Sequence, residues 1–144
     1  MFLQQNTLDG LRVYFNDSLK NQFSGSEIKL MFKAFMTKRM SLSDTEFMLA
    51  RDLRFSESDL LYFRSVVKRL QANEPFQYIH GFTEFYGLEL ICDVRALIPR
   101  PETEELVDWI SESLEKNGEH HIVDICSGSG CIALALKSNF RNAQ

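Results

Sequence analysis

The chain has 144 residues, of which 44% are apolar and 25% charged, and its net charge is −4. That balance belongs to a folded polypeptide rather than a disordered one, with enough chain for one ordinary domain or two small ones. The acidic excess gives no general attraction to phosphate backbones or anionic lipid, so a protein partner or small ligand is expected, with no direct nucleic-acid or membrane partner.

Cys92, Cys126 and Cys131 are odd in number and lack the paired short spacings of a zinc site. No charged-then-apolar leader opens the sequence, and no apolar run is long enough to span a bilayer. The expectation is a cytoplasmic protein with reduced thiols. His80, His120 and His121 are too scattered to suggest a metal centre, and none is expected.

The first half reads as helices. Leu8, Leu11, Phe15 and Leu19 recur at helical spacing. Ser24 with Glu27 forms a capping-box pattern ahead of Ile28, Met31, Phe32, Phe35 and Met36. Ser43 with Glu46 repeats it before Phe47, Met48 and Leu49, and Ser56 with Asp59 starts a stripe of Leu60, Phe63, Val67 and Leu70. Short amphipathic helices cannot each bury a face alone, so a small bundle is expected. Its Phe and Met stripes are read as core, because burying one such side chain is worth about 1.5–3 kcal/mol.

Asn73-Glu74-Pro75 interrupts this pattern, since a residue before proline is biased away from helix. From Phe76 to Ile98 the spacing of Phe82, Phe85, Leu88 and Leu90 around Gly81 and Gly87 suggests short strands, forming a β-hairpin with Gly87 at or near its turn. The hairpin reads as a connector between domains.

Next comes Ile98-Pro-Arg-Pro-Glu-Thr-Glu-Glu105. Pro101 suits a first helical position, and Glu102, Glu104 and Glu105 complement the positive end of the helix dipole. Leu106, Trp109, Ile110 and Leu114 supply an apolar stripe, and Lys116-Asn117-Gly118 would close the helix. Arg100 opposes that dipole, so it either points toward an anionic ligand group or pairs with a neighbouring glutamate.

His121 to Ile125 reads as a buried parallel strand ending near Asp124. Gly128 and Gly130 then allow a tight turn, and Ile132 to Leu136 continue as a helix with free N–H groups facing the turn. Gly128-Ser-Gly130-Cys-Ile-Ala133 also fits the dinucleotide fingerprint. Asp124 separates the ligands: a carboxylate there repels a pyrophosphate but attracts the ammonium and sulfonium of S-adenosylmethionine. A strand, turn and helix without any cofactor is the remaining alternative.

Four blocks in order, Pro75-Phe-Gln-Tyr-Ile-His-Gly81, Glu84-Phe-Tyr-Gly87, Leu97-Ile-Pro-Arg-Pro-Glu-Thr-Glu104 and Asp124-Ile-Cys-Ser-Gly-Ser-Gly130, resemble the PrmC/HemK family of glutamine N5-methyltransferases acting on peptide chain release factors. The resemblance implies an α plus α/β chain with a helical N-terminal domain that helps engage the release factor (1–73), a β-hairpin linker (74–98) and the start of a Rossmann-like methyltransferase domain (99–144). It implies S-adenosylmethionine as donor and the glutamine of a Gly-Gly-Gln motif as acceptor. Cys126, Ser127, Gly128, Ser129 and Gly130 would surround the methionine part of the donor, Asp124 would support that end, and Arg100 and Thr103 would line the same cleft. Cys126 stands where relatives often have glycine.

The family's Asn-Pro-Pro-Tyr motif, which holds the acceptor amide, does not occur in the sequence, so no catalytic residue is assigned. The resulting expectation is the N-terminal portion of a longer enzyme, inactive alone, with its residues beyond about Gly118 poorly ordered or covered by another chain. Two other readings are a non-catalytic helical module that binds a protein partner, and a nucleic-acid adenine-N6 methyltransferase. The acidic balance and the Pro-Arg-Pro-Glu-Thr-Glu block oppose the second.

Overall fold

Short-range hydrogen bonds fix three helix starts. In the computed structural model, which describes residues 6–50, 53–116 and 118–144, Ser24, Ser43 and Ser56 each accept a bond from the N–H three residues on. Glu27, Glu46 and Asp59 reach back to the cap N–H, completing three capping boxes. These begin α2 (Gly25–Met40), α3 (Asp44–Leu49) and α4 (Glu57–Gln71), after α1 (Leu8–Leu19), which Thr7 caps.

Helices α1 and α2 bury the stripes anticipated from their spacing: Leu8, Leu11, Phe15 and Leu19 on one, and Ile28, Met31, Phe32, Phe35 and Met36 on the other. On α4, Phe63, Val66, Val67 and Leu70 are buried, with Leu60 packed against them. Phe15 meets Phe32 edge-on at 5.2 Å and Phe63 at 6.0 Å, while Phe55 meets Phe63 at 5.9 Å. Such pairs add about 0.5–1.5 kcal/mol each beyond burial. Residue 6 is tied in by the Phe55 N–H, which donates to the Asn6 carbonyl at 3.1 Å.

Two expectations for this half are corrected. Helix α3 buries no residue fully: Phe47 packs inward, but Met48 and Leu49 are exposed. Successive helical residues point about 100° apart, so a run of three cannot share one face. The segment after Pro75 begins with a single-turn helix, α5 (Phe76–His80), rather than a strand. Proline is accommodated there because its missing N–H would have no intrahelical partner at a helix start, while its carbonyl accepts the N–H groups of Tyr78 and Ile79. Ile79 enters the core, Phe76 meets Phe35 edge-on, and the His80 ring stacks on Phe76 at 5.2 Å. Lys38 donates to the His80 carbonyl.

The chain divides into two compact units, one reaching His80 and the other starting at Gly81. The second opens with β1 (Phe82–Phe85) and β2 (Leu88–Ile91), an antiparallel pair in which Phe85 faces Leu88 and Phe82 faces Ile91. Tyr86 and Gly87 form the two-residue turn, both with positive φ (51° and 70°). That arrangement matches the right-handed twist of the strands. Helix α6 (Pro101–Glu112) follows, then α7 (Cys131–Asn139). Phe85, Val107, Cys131, Ala135, Leu136, Phe140 and Ala143 form the core of this unit.

The apolar stripe of α6 is rotated from the expected one. Val107 is buried and Ile110 and Leu114 pack beside it, whereas Leu106 is partly exposed and Trp109 is 70% exposed. Positions 107, 110 and 114 share one helical face, while 106 and 109 lie on a neighbouring one. The helix stops at Glu112, with the Ser113 N–H donating to the Ile110 carbonyl. The expected closing group reaches Asn117, which lies outside the described residues.

The parallel strand expected at His121–Ile125 does not form as an element. Val123 and Ile125 are 81% and 82% exposed. One rung of pairing is present: the Gln144 N–H donates to the His120 carbonyl, and the Ile122 N–H donates to the Gln144 carbonyl, both at 2.9 Å. This alternation about one residue is the parallel pattern, and a single rung is too short to make a strand. The residues beyond Gly118 nevertheless contribute to a core: Leu136 is buried and Ile132 packs beside it, while Leu134 stays exposed.

Candidate functional site

Asp124 is half-buried, and its Oδ2 is shut off from solvent with no hydrogen-bond partner. A buried acceptor left unsatisfied costs about 1–3 kcal/mol, and more when ionised. This oxygen therefore favours a cationic or hydrogen-bond-donating group beside it.

The loop beyond Asp124 alternates into left-handed backbone at Cys126 (φ 63°), Gly128 (φ 56°) and Gly130 (φ 73°). Glycine adopts that region freely, whereas a residue with a Cβ there costs about 1–2 kcal/mol. Cys126 bears that cost at the position where the PrmC/HemK resemblance expects glycine. A Cβ added at Gly130 would meet nothing within 4 Å, and one at Gly128 would come no nearer than 3.9 Å to the Cys126 carbonyl. The space above the loop is open, and the bare backbone is accessible to a ligand.

The Gly130 N–H closes the turn on the Ser127 carbonyl at 2.8 Å. Gly130 then caps α7 without any side-chain hydrogen bond. The first N–H groups of that helix thus face the loop with no capping side chain to satisfy them. Cys126, Ser127 and Gly128 are exposed, and Ser129 and Gly130 are half-buried.

Arg100 is the N-cap residue of α6 and is exposed. It makes no side-chain cap bond, although its carbonyl accepts the Thr103 N–H at 3.0 Å. Among the described residues its guanidinium forms no ion pair, so the expected alternative of a surface pair with a neighbouring glutamate is not realised. Thr103 is half-buried on the first turn of α6. Among the described residues, no hydrogen bond joins the Arg100 or Thr103 side chain to the loop from Asp124 to Gly130. The structure therefore brings the predicted residues to the beginnings of two helices in one unit, without a direct link between the two groups.

Sequence reasoning missed a set of contacts behind these helices. The Tyr86 N–H donates to Glu104 Oε1 at 2.7 Å, and its hydroxyl donates to Asp108 Oδ1 at 2.7 Å. Asn139 Nδ2 donates to that hydroxyl at 3.3 Å and to Ser111 Oγ at 3.2 Å. The available signal was a bulky tyrosine in a turn position where Asn, Asp or Gly is usual.

Known proteins resemble this chain in sequence. Residues 17–81 match the family model of the PrmC N-terminal domain. Over 135 residues, 92% of this chain, it is 38% identical to the release factor glutamine methyltransferase of Flavobacterium psychrophilum, covering 47% of that relative. The chain is therefore similar to release factor glutamine methyltransferases along most of its length, and to the PrmC N-terminal domain over residues 17–81. The release factor glutamine methyltransferase of Bacteroides thetaiotaomicron is 32% identical across 95% of the chain and 49% of its own length. That of Streptococcus pneumoniae is 41% identical across 87% and 44%. The chain thus spans about half the length of these relatives.

Proposed function

We propose that this chain forms the donor-binding start of a methyltransferase that uses S-adenosylmethionine to methylate, at N5, the glutamine of the Gly-Gly-Gln motif in peptide chain release factors. Asp124 carries the proposal: a carboxylate oxygen enclosed without a partner, directly before a loop with bare left-handed glycines. The name of the relatives, release factor glutamine methyltransferase, supplies the reaction class. In this reading residues 1–73 are the helical domain that engages the release factor, 74–98 the hairpin linker and 99–144 the beginning of a Rossmann-like domain working in the cytoplasm. The paired backbone bonds between Gln144 and residues 120 and 122 support the last assignment, since they have the register of a parallel neighbour.

S-adenosylmethionine would supply an electrophilic methyl group on a positively charged sulfur. Asp124 would meet the cationic end of that molecule with negative charge and an acceptor that has no other partner. Gly128 and Gly130 would allow close approach of the backbone, and the first N–H groups of α7 would donate to a carboxylate there. Ser127 and Ser129 would add hydroxyls, Cys126 would fix the entry to the turn, and Arg100 and Thr103 would contribute from the start of α6.

The test is a titration of the chain with S-adenosylmethionine, followed by amide resonances. Shifts at Cys126 to Ala133 are expected, with weak affinity of about 1 mM, or roughly 4 kcal/mol. Asp124→Asn should remove them. Equal perturbation of the same amides by NAD, or no response to the methyl donor, would overturn the reading.

One observation favours a second role for the helical unit as a protein-binding module. A groove of about 970 Å³ runs along α1 and α2, with Val13, Ile28, Leu30 and Phe32 in its lining and Arg12, Lys29 and Lys33 beside them. Loss of release-factor binding in Leu30→Asp, without loss of helicity, would support this role.

A further inference from the structure

The two-residue hairpin turn has positive φ at both positions, and its local chemistry selects Asn, Asp or Gly. Position 86 instead holds tyrosine at φ 51°. A bulky residue kept in unfavourable backbone is worth explaining by what its side chain reaches. Here the backbone N–H reaches Glu104 on α6, and the hydroxyl lies between Asp108 on α6 and Asn139 on α7. Asn139 in turn holds Ser111 on α6. One turn residue thereby ties the hairpin to both helices of this unit.

We infer that Tyr86 is a positioning residue that fixes α7 against α6, and so sets the relative placement of the two helix beginnings that carry Arg100 and Thr103 on one side and the Gly128–Gly130 loop on the other. This inference rests on the proposed donor-binding role of those helix beginnings. The contacts act from behind: Asp108 and Ser111 lie beyond Thr103 along α6, and Asn139 is the last residue of α7. Buried Val107, Ala135 and Leu136 give the two helices an apolar contact, which resists separation but is non-directional. Hydrogen bonds are directional and choose one setting among those that burial allows. Glu104 also gains an account: within the Pro-Arg-Pro-Glu-Thr-Glu block it is the acceptor that receives the hairpin turn.

The test uses the whole chain and five variants: Tyr86→Phe, Tyr86→Asn, Asn139→Ala, Glu104→Ala and Glu104→Gln. Amide resonances of Cys131 to Ala133, at the opposite end of α7 from Asn139, report helix placement, and titration with S-adenosylmethionine reports the site. Tyr86→Phe, which keeps the ring, should move those amides and weaken donor binding about tenfold, the scale of one or two lost hydrogen bonds. Tyr86→Asn should do the same although it suits the turn better. Glu104→Gln keeps an acceptor and should restore what Glu104→Ala loses, a rescue that a purely packing role would not produce. Unmoved amides in Tyr86→Phe would overturn the inference, as would unchanged affinity in a chain whose parent binds the donor. If the amides move and glutamine rescues, but the parent itself does not respond to S-adenosylmethionine, positioning stands and the donor reading fails.

Discussion

The two units differ in how completely their apolar surface is used. In the helical unit, aromatic rings from α1, α2, α4, α5 and the segment before α4 pack around Phe15, Phe35 and Phe63, which are fully buried. In the second unit, Phe85 and Val107 are equally buried, yet Ile91, Val94, Leu97, Trp109, Val123 and Ile125 all lie exposed. A helix bundle can satisfy its backbone within each helix and needs only its stripes covered. A strand needs neighbours for its backbone and cover for two faces, so one rung at Gln144 leaves Val123 and Ile125 outside.

The sharpest way to break this contrast is Phe63→Ala. The side chain touches Phe15, Phe55 and Tyr62, and its removal should cost about 3–5 kcal/mol. Urea unfolding followed by helical circular dichroism should show the loss. A cost below about 1 kcal/mol would mean that this core is not closely packed.

Next in size are the helix starts. Ser56→Ala should cost about 1 kcal/mol. The bond with Ser56 is the largest cause holding the Asp59 carboxyl below its ordinary value, and Arg39 adds to it. Ser24 and Ser43 lower Glu27 and Glu46 in the same way. A carboxylate depressed on folding stabilises fully above its unfolded value and loses that contribution as pH falls through the folded one. The helical unit should therefore hold steady above the ordinary glutamate value of 4.5 and weaken below it. Unfolding midpoints across that range should show a shallower acid slope in Ser56→Ala than in the parent.

A smaller effect is expected at Cys126→Gly. Relief of left-handed strain of about 1–2 kcal/mol is offset by about 0.5–1 kcal/mol of extra freedom in the unfolded chain. The net gain should be no more than about 1.5 kcal/mol by thermal unfolding, whereas Gly130→Ala should lose stability. A marked loss in Cys126→Gly would show that the thiol makes contacts worth more than the strain.

The smallest effect tests the open face. Ile125→Ser should change stability by no more than about 0.5 kcal/mol, because the side chain is already in water. A cost above about 1 kcal/mol would mean that something covers this face in solution, and sedimentation would show whether it is a second copy.

Much of the helical unit was legible because its information is local. A serine and an acid three residues apart define a capping box, and Leu8, Leu11, Phe15 and Leu19 define a face, without reference to any other segment. The turn at Gly87 and the loop at Gly128 and Gly130 were legible for the same reason: tolerance of positive φ is a property of glycine itself. Asp124 could be singled out by its type and place, but its unpartnered oxygen could not.

The remaining choices were non-local and were made by the folded chain. It chose Val107 over Trp109 for the inner face of α6, since both lie on apolar stripes and only the neighbours distinguish them. It turned the segment after Pro75 into a helix by giving Phe76 and Ile79 a core to enter. It withheld a strand from His121–Ile125, whose apolar run meets only one rung of partner backbone. It also joined Tyr86 to Glu104, Asp108 and Asn139, residues far apart along the chain. Local geometry is written in the order of residues, whereas burial and pairing depend on which surfaces meet after the chain has folded.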